Sequence, residues 1–155
     1  MKHQPIKRHE ALKPLSREHH QGLLLCMKIR RGIEAGIEPE RIKKYTNWFW
    51  INHLVPHFRE EEAYIFPILE KEDELFIRVM AEHKNLKALF EEKSPVDQNH
   101  LSQLADELEK HIRFEERILF NKIQEKANKE ELEKIESLLN ANVNDCGTWD
   151  DEFWL

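Results

Sequence analysis

The sequence predicts an all-α protein: an up-down-up-down four-helix bundle with a short extra C-terminal helix and a tail. Three observations carry this. Apolar residues recur every three to four positions along most of the chain, and no segment alternates as a strand would. Glycine (4) and proline (6) are scarce, and 35% charged against 40% hydrophobic residues is the balance of a soluble helical chain. The breaks between periodic segments are short, which forces consecutive helices to run antiparallel. The 155 residues suffice for one domain with a real core. We expect that domain at 1–140, with its core at 12–126, and an acidic, aromatic tail at 141–155.

The first helix is expected from about Pro14 to Ala35. Leu15, His19, Leu23, Cys26, Ile29 and Ile33 share one stripe, and Gly36 is placed to cap the C-terminus. The second starts at Pro39, a favourable first-turn residue, and reaches about Glu70. Pro56 falls in its middle and predicts a kink, because proline removes a backbone donor and crowds the preceding turn. Trp48, Phe49 and Trp50 are expected to pack this helix on its neighbours. The third runs from about Asp73 to Glu92, with Phe76, Val79, His83, Leu86 and Phe90 on one stripe. Ser94-Pro95-Val96-Asp97 has the form of a helix start. From it the fourth helix extends to about Lys126, with Leu104, Leu108, His111, Glu115 and Ile118 on one stripe. A fifth helix is expected from about Lys129 to Asn140. In the tail, Trp149, Phe153 and Trp154 are expected to dock across the bundle or onto a protein partner, a second copy included.

Composition removes several function classes. The formal charge of −6 argues against general nucleic-acid binding, which needs a basic face. No apolar run approaches membrane-spanning length, and the N-terminus has no apolar signal core, so a cytoplasmic protein is expected. Cys26 and Cys146 form no metal motif and read as reduced thiols. There is no nucleophile triad and no phosphate-binding loop.

The unusual component is histidine, nine in all. His57 and His111 are each followed four residues later by a glutamate, Glu61 and Glu115. Residues four apart stack on one helix face, so each pair can aim an imidazole and a carboxylate at one point. Antiparallel threading brings His19 and His83 to about the same depth, at roughly 1.5 Å of rise per residue. One such pair alone is most often a solvated surface pair. Six such residues on the inward stripes of four helices are different, since burying them without a metal is very costly. Imidazole nitrogen with carboxylate oxygen suits iron, manganese or zinc. Two facing carboxylates can bridge a pair of ions. Two six-coordinate ions offer about twelve positions. Four imidazoles and two bridging carboxylates fill eight, which leaves room for water, an oxo or hydroxo bridge and an outside ligand.

Within this pattern some choices are open. His19 is favoured over His20 because its stripe is apolar. His53 lies four residues before His57 and is either a fifth nitrogen donor, a supporting donor, or turned away by the Pro56 kink. Glu60, Glu62 and Glu116 fall off the inward stripe and are expected at the surface, as are His3, His9 and His100. Leu23, Cys26, Leu54, Ile65, Leu86, Leu108 and Ile118 are the expected pocket wall, which as an apolar lining favours a small neutral ligand.

The segments LSREHHQGLLL, NHLVPHFREEEAYIFPIL, AEHKNLKALF and HIRFEERILF stand in an order that resembles the hemerythrin-like HHE cation-binding domains. The resemblance spans about residues 12 to 126. It implies a four-helix bundle around a non-haem di-iron centre with His19, His57, Glu61, His83, His111 and Glu115 as metal ligands. Oxygen-carrying members use five histidines and an aspartate five residues after the last-helix histidine. Here that position is Glu116, and Glu115 fits the spacing better. The four-His, two-Glu set is more similar to bacterial di-iron proteins associated with nitric-oxide stress and repair of iron centres. Those often carry a cysteine-bearing N-terminal module that this sequence lacks. The expected function is therefore binding or sensing of O2 or NO at two iron ions. The alternatives are a redox enzyme or iron-donor protein built on the same centre, and metal storage.

Overall fold

The computed structural model describes residues 7–141 and 147–155. Cys146 and His3 lie outside the described residues. Helices dominate, and no strand occurs among the described residues. A 3-10 turn, Glu10–Leu12, leads into α1, Lys13–Glu34. Helix α2 spans 39–68 in five pieces: Pro39–Phe49, a π-turn Trp50–Leu54, Val55–Glu60, a second π-turn Glu61–Ile65, and a 3-10 end Phe66–Ile68. Helix α3 is Glu74–Phe90. Helix α4 spans 98–126 as Gln98–Phe114, a π-turn Glu115–Leu119, and Phe120–Lys126. Helix α5, Lys129–Ala141, packs on the opening 3-10 turn. No helix is long and apolar enough to cross a membrane.

The helix ends follow from capping chemistry. Gly36 has φ +73°, and the Gly36 and Ile37 amides return to the Ile33 and Gly32 carbonyls, so α1 closes in a left-handed glycine cap. Asp73 caps α3 by accepting from the Leu75 amide. Asp97 caps α4 by accepting from the His100 amide. This corrects the expected start at Ser94, whose hydroxyl donates to Glu92 instead. His9 and His100 were expected to be solvated. His9 accepts from the Ala11 amide through Nδ1, and His100 donates to the Leu89 carbonyl through Nε2.

The buried apolar residues divide into two blocks. One holds Leu25, Cys26 and Ile29 of α1, Phe49 to Phe58 of α2, Leu86 and Phe90 of α3, and Leu101 to Ile112 of α4. The other holds Leu12 and Leu15, Ile65 and Phe66, Val79, and Phe114 to Ile123, with α5. In α1 and α3 the boundary between the blocks falls at the buried His19 and His83, and in α2 and α4 it falls beside the His57/Glu61 and His111/Glu115 pairs. A polar layer thus crosses the bundle at its waist. The tail closes one end: Phe153 is buried against Gly32 and stands edge-on to Tyr45, and Arg41 binds Asp151 through two hydrogen bonds of 2.6 and 2.8 Å. The tail aromatics therefore lie across their own bundle.

The expected pocket wall needs two corrections. Ile118 is exposed, and Leu23 is only half-buried. The π-turn Glu115–Leu119 adds a residue to the helical repeat, so Leu119 takes the inward place and Ile118 faces out. In α1 the inward residues next to the expected Leu23 are Gly22 and Leu25. Gly22 packs closely there: a Cβ would lie 2.7 Å from Ile112 Cδ1, and the end of that side chain would have to shift.

Candidate metal centre

Four helices deliver the waist residues, one histidine each, with a glutamate added by α2 and α4. Helix α1 supplies His19, α2 His57 and Glu61, α3 His83, and α4 His111 and Glu115. Glu61 and Glu115 are 0% exposed, and the four imidazoles are 2–4% exposed. Both glutamates sit where an α-helix passes into a π-turn. Each therefore keeps α-helical spacing to its own histidine, and the wider turn resets the phase beyond it. Pro56 contributes in α2. It cannot donate to the carbonyl four residues back, and the turn before it is the π-turn, in which the Val55 amide reaches Trp50. His53 points away from the waist and lies flat on Phe49, ring centroids 4.5 Å apart. His20 is exposed, so the structure separates it cleanly from buried His19.

The six donors form two overlapping groups: His19, His57, Glu61 and Glu115, and Glu61, His83, His111 and Glu115. Within each, one ligand atom per residue lies within 4.8 Å of every other. His19 and His57 meet edge to face at 4.8 Å, and His83 and His111 at 4.9 Å. Glu61 reaches His57 and His83, each at 3.3 Å, through different oxygens. Glu115 reaches His19 at 2.8 Å and His111 at 3.3 Å. Both carboxylates thus stand between the two histidine pairs.

The outward nitrogen of every imidazole is held by a further carboxylate. His19 Nδ1 meets Glu116 at 3.0 Å, His57 meets Glu18 at 3.2 Å, His83 meets Glu62 at 2.8 Å, and His111 meets Glu82 at 2.7 Å. A carboxylate only accepts, so Nδ1 carries the proton and the Nε2 lone pair of a neutral ring faces inward. Glu62 and Glu116, expected as surface charge, belong to this outer ring. They leave the inward stripe but pass behind a neighbouring histidine.

The inward atoms are short of partners. His57, His83 and His111 Nε2, both Glu61 oxygens and Glu115 Oε2 are buried and make no hydrogen bond. Their mutual contacts of 3.3–3.7 Å are within ion-pair reach but are not aligned as hydrogen bonds. Each such atom costs about 1–3 kcal/mol. The electrostatics say the same. Burial alone would lower the His83 imidazole, but Glu115, Glu61 and Glu62 outweigh it and push it up to about 11. His57 rises to about 9 against its own burial, chiefly through the Glu61 charge. Burial and Glu115 would raise Glu61, yet His57 and His19 hold it down to about 2. His19 and His111 are raised and Glu115 lies well below the carboxylate range, by the same balance. The waist demands positive charge, and a cation bound by nitrogen and oxygen lone pairs supplies it at every orphaned atom. The donor set fits such an ion.

A family model described as the hemerythrin HHE cation binding domain matches residues 10–123. No curated protein and no solved structure matches the chain. The match covers most of the sequence and contains all six waist residues, and the chain belongs to the hemerythrin HHE cation-binding domain family.

Proposed function

We propose that His19, His57, Glu61, His83, His111 and Glu115 hold two iron ions side by side, and that the pair binds O2 or NO. The observation that carries this is the sharing of Glu61 and Glu115 by both donor groups. Two separate sites would need separate carboxylates, whereas shared ones bridge. Iron bound here would supply reversible electron donation to a diatomic ligand. The protein's own contribution is the remainder. Two apolar blocks on either side of the waist keep water scarce, and carboxylates outside each imidazole fix its orientation and raise its donor strength. Manganese or zinc would fit the same donors, so the metal must be measured.

The experiment is anaerobic reconstitution with ferrous iron, metal analysis, and titration with O2 or NO followed by absorption spectroscopy. Two irons per chain and a stable new band support a binder or sensor. A transient band with loss of O2 or NO points instead to a redox enzyme, and transfer of iron to an apo acceptor points to an iron donor. Less than one metal per chain, unchanged in His57→Ala or Glu115→Ala, defeats the reading.

A further inference from the structure

The π-turn Glu115–Leu119 changes the hydrogen bonding just beyond a waist glutamate. At α-helical spacing the Phe120 amide would serve the Glu116 carbonyl, but here it reaches one residue further back, to Glu115. The Glu116 carbonyl thereby loses its usual helical partner. Arg8, in the segment before α1, takes that place: its guanidinium donates to the Glu116 carbonyl at 2.6 Å.

The other arm of the guanidinium fork donates to Gln124 Oε1 at 3.0 Å and to Asn121 Oδ1 at 3.3 Å. Gln124 also accepts from the His9 amide at 2.8 Å and donates to the Lys7 carbonyl at 3.2 Å. Segment 7–9 is thus stitched along the last stretch of α4. From there Arg8 reaches His19 by two routes. Its guanidinium carbon lies 5.3 Å over the Phe120 ring, and the fully buried Phe120 stacks on the His19 imidazole at 5.2 Å and 22°. The second route is Glu116 itself, whose carboxylate accepts from His19 Nδ1 at 3.0 Å and from Ser16 at 2.8 Å. Burial would raise the Glu116 carboxyl, but His19, Ser16 and Arg8 together hold it below its ordinary range.

We propose that Arg8 is a positioning residue for the donor group His19, His57, Glu61 and Glu115. It locks the π-turn that follows Glu115 and holds Glu116 and Phe120 against His19. The segment before the first helix therefore sets how tightly this group holds a cation. That affinity rests on the reading of the waist as a two-cation site, whereas the lock does not. Charge alone predicts the reverse, because removing one cation near the waist should tighten the binding of another.

The test compares the full wild-type chain with Arg8→Gln, metal-free and with zinc as the probe. In the metal-free chain, amide exchange at 116–120 should be about tenfold faster in Arg8→Gln. In a zinc titration followed by NMR of the histidine ring nitrogens, His19 and His57 should need about tenfold more free zinc, with a smaller change at His83 and His111. Arg30→Gln removes an arginine bonded to Asp106 and Glu109 of the same helix, and should change neither readout. Unchanged exchange at 116–120 overturns the lock. Tighter zinc binding, an equal loss at His83 and His111, or an equal effect of Arg30→Gln overturns the positioning role. A wild-type chain that takes up no zinc would sink the waist reading and the affinity with it, while the exchange measurement would still decide the lock.

Discussion

At the scale of single residues, the six waist side chains do different work. Glu61 and Glu115 belong to both donor groups, whereas each histidine belongs to one. Glu61→Ala and Glu115→Ala are therefore expected to lose both metal ions. His57→Ala or His111→Ala should lose one preferentially, measured as metal per chain after reconstitution. The outer carboxylates give a milder effect. Glu62→Gln and Glu116→Gln keep an acceptor oxygen but remove the charge, and should weaken metal binding about 10–100-fold in a chelator competition. Glu133→Gln, an exposed change on α5, should leave it unaltered. The inner six were legible because they recur on apolar stripes. The outer four were not, because they sit one position from a waist residue (Glu18, Glu62, Glu82, Glu116) and look like ordinary solvated charge. Periodicity finds residues that face the core of their own helix. It misses those that reach behind a residue of the next.

At the scale of helices, a π-turn explains the misplacing of Ile118. A stripe drawn at constant period through Leu108, His111 and Glu115 runs on to Ile118, but the extra residue in Glu115–Leu119 puts Leu119 inside. Nothing in the residue types announces that insertion. In α2 the signal was present, since Pro56 denies a donor to the turn before it. Ile118→Ser should therefore be close to neutral in chemical denaturation. Leu119→Ala should cost about 2–5 kcal/mol, as for other fully buried leucines. Helix limits were read to within a few residues except at α4, where Asp97 rather than Ser94 caps the first turn. The tail could not be placed from sequence, because its anchors, Phe153 and Asp151, carry no period. They depend on Gly32, Tyr45 and Arg41, far back in the chain.

At the scale of the whole molecule, stability is tied to charge at the waist. In the metal-free protein, His57 and His83 have pKa values raised to about 9 and 11, so their protonated forms stabilise the fold fully below about pH 6.5. That stability is lost as pH rises through 9 towards 11. Glu61, lowered to about 2, contributes above about pH 4.5 and loses its contribution as pH falls towards 2. The metal-free protein is expected to melt highest between about pH 4.5 and 6.5 and to lose several degrees by pH 9 to 10, by scanning calorimetry. Metal loading should raise the melting temperature and remove the alkaline loss, because the bound cations take the place of those protons. Acid should then release the metal as imidazoles protonate.

The division of the core into two apolar blocks has a mechanical consequence. Each end of the bundle has its own apolar block, while the layer between them is held by ion pairs, hydrogen bonds and a few ring contacts around atoms left without a partner. The protein resembles two clasped halves with a soft seam, and the seam is where an ion must enter. Native-state amide exchange of the metal-free chain should show the backbone around His57, Glu61, His111 and Glu115 opening while both ends stay protected. Metal should slow that opening without altering exchange at the ends.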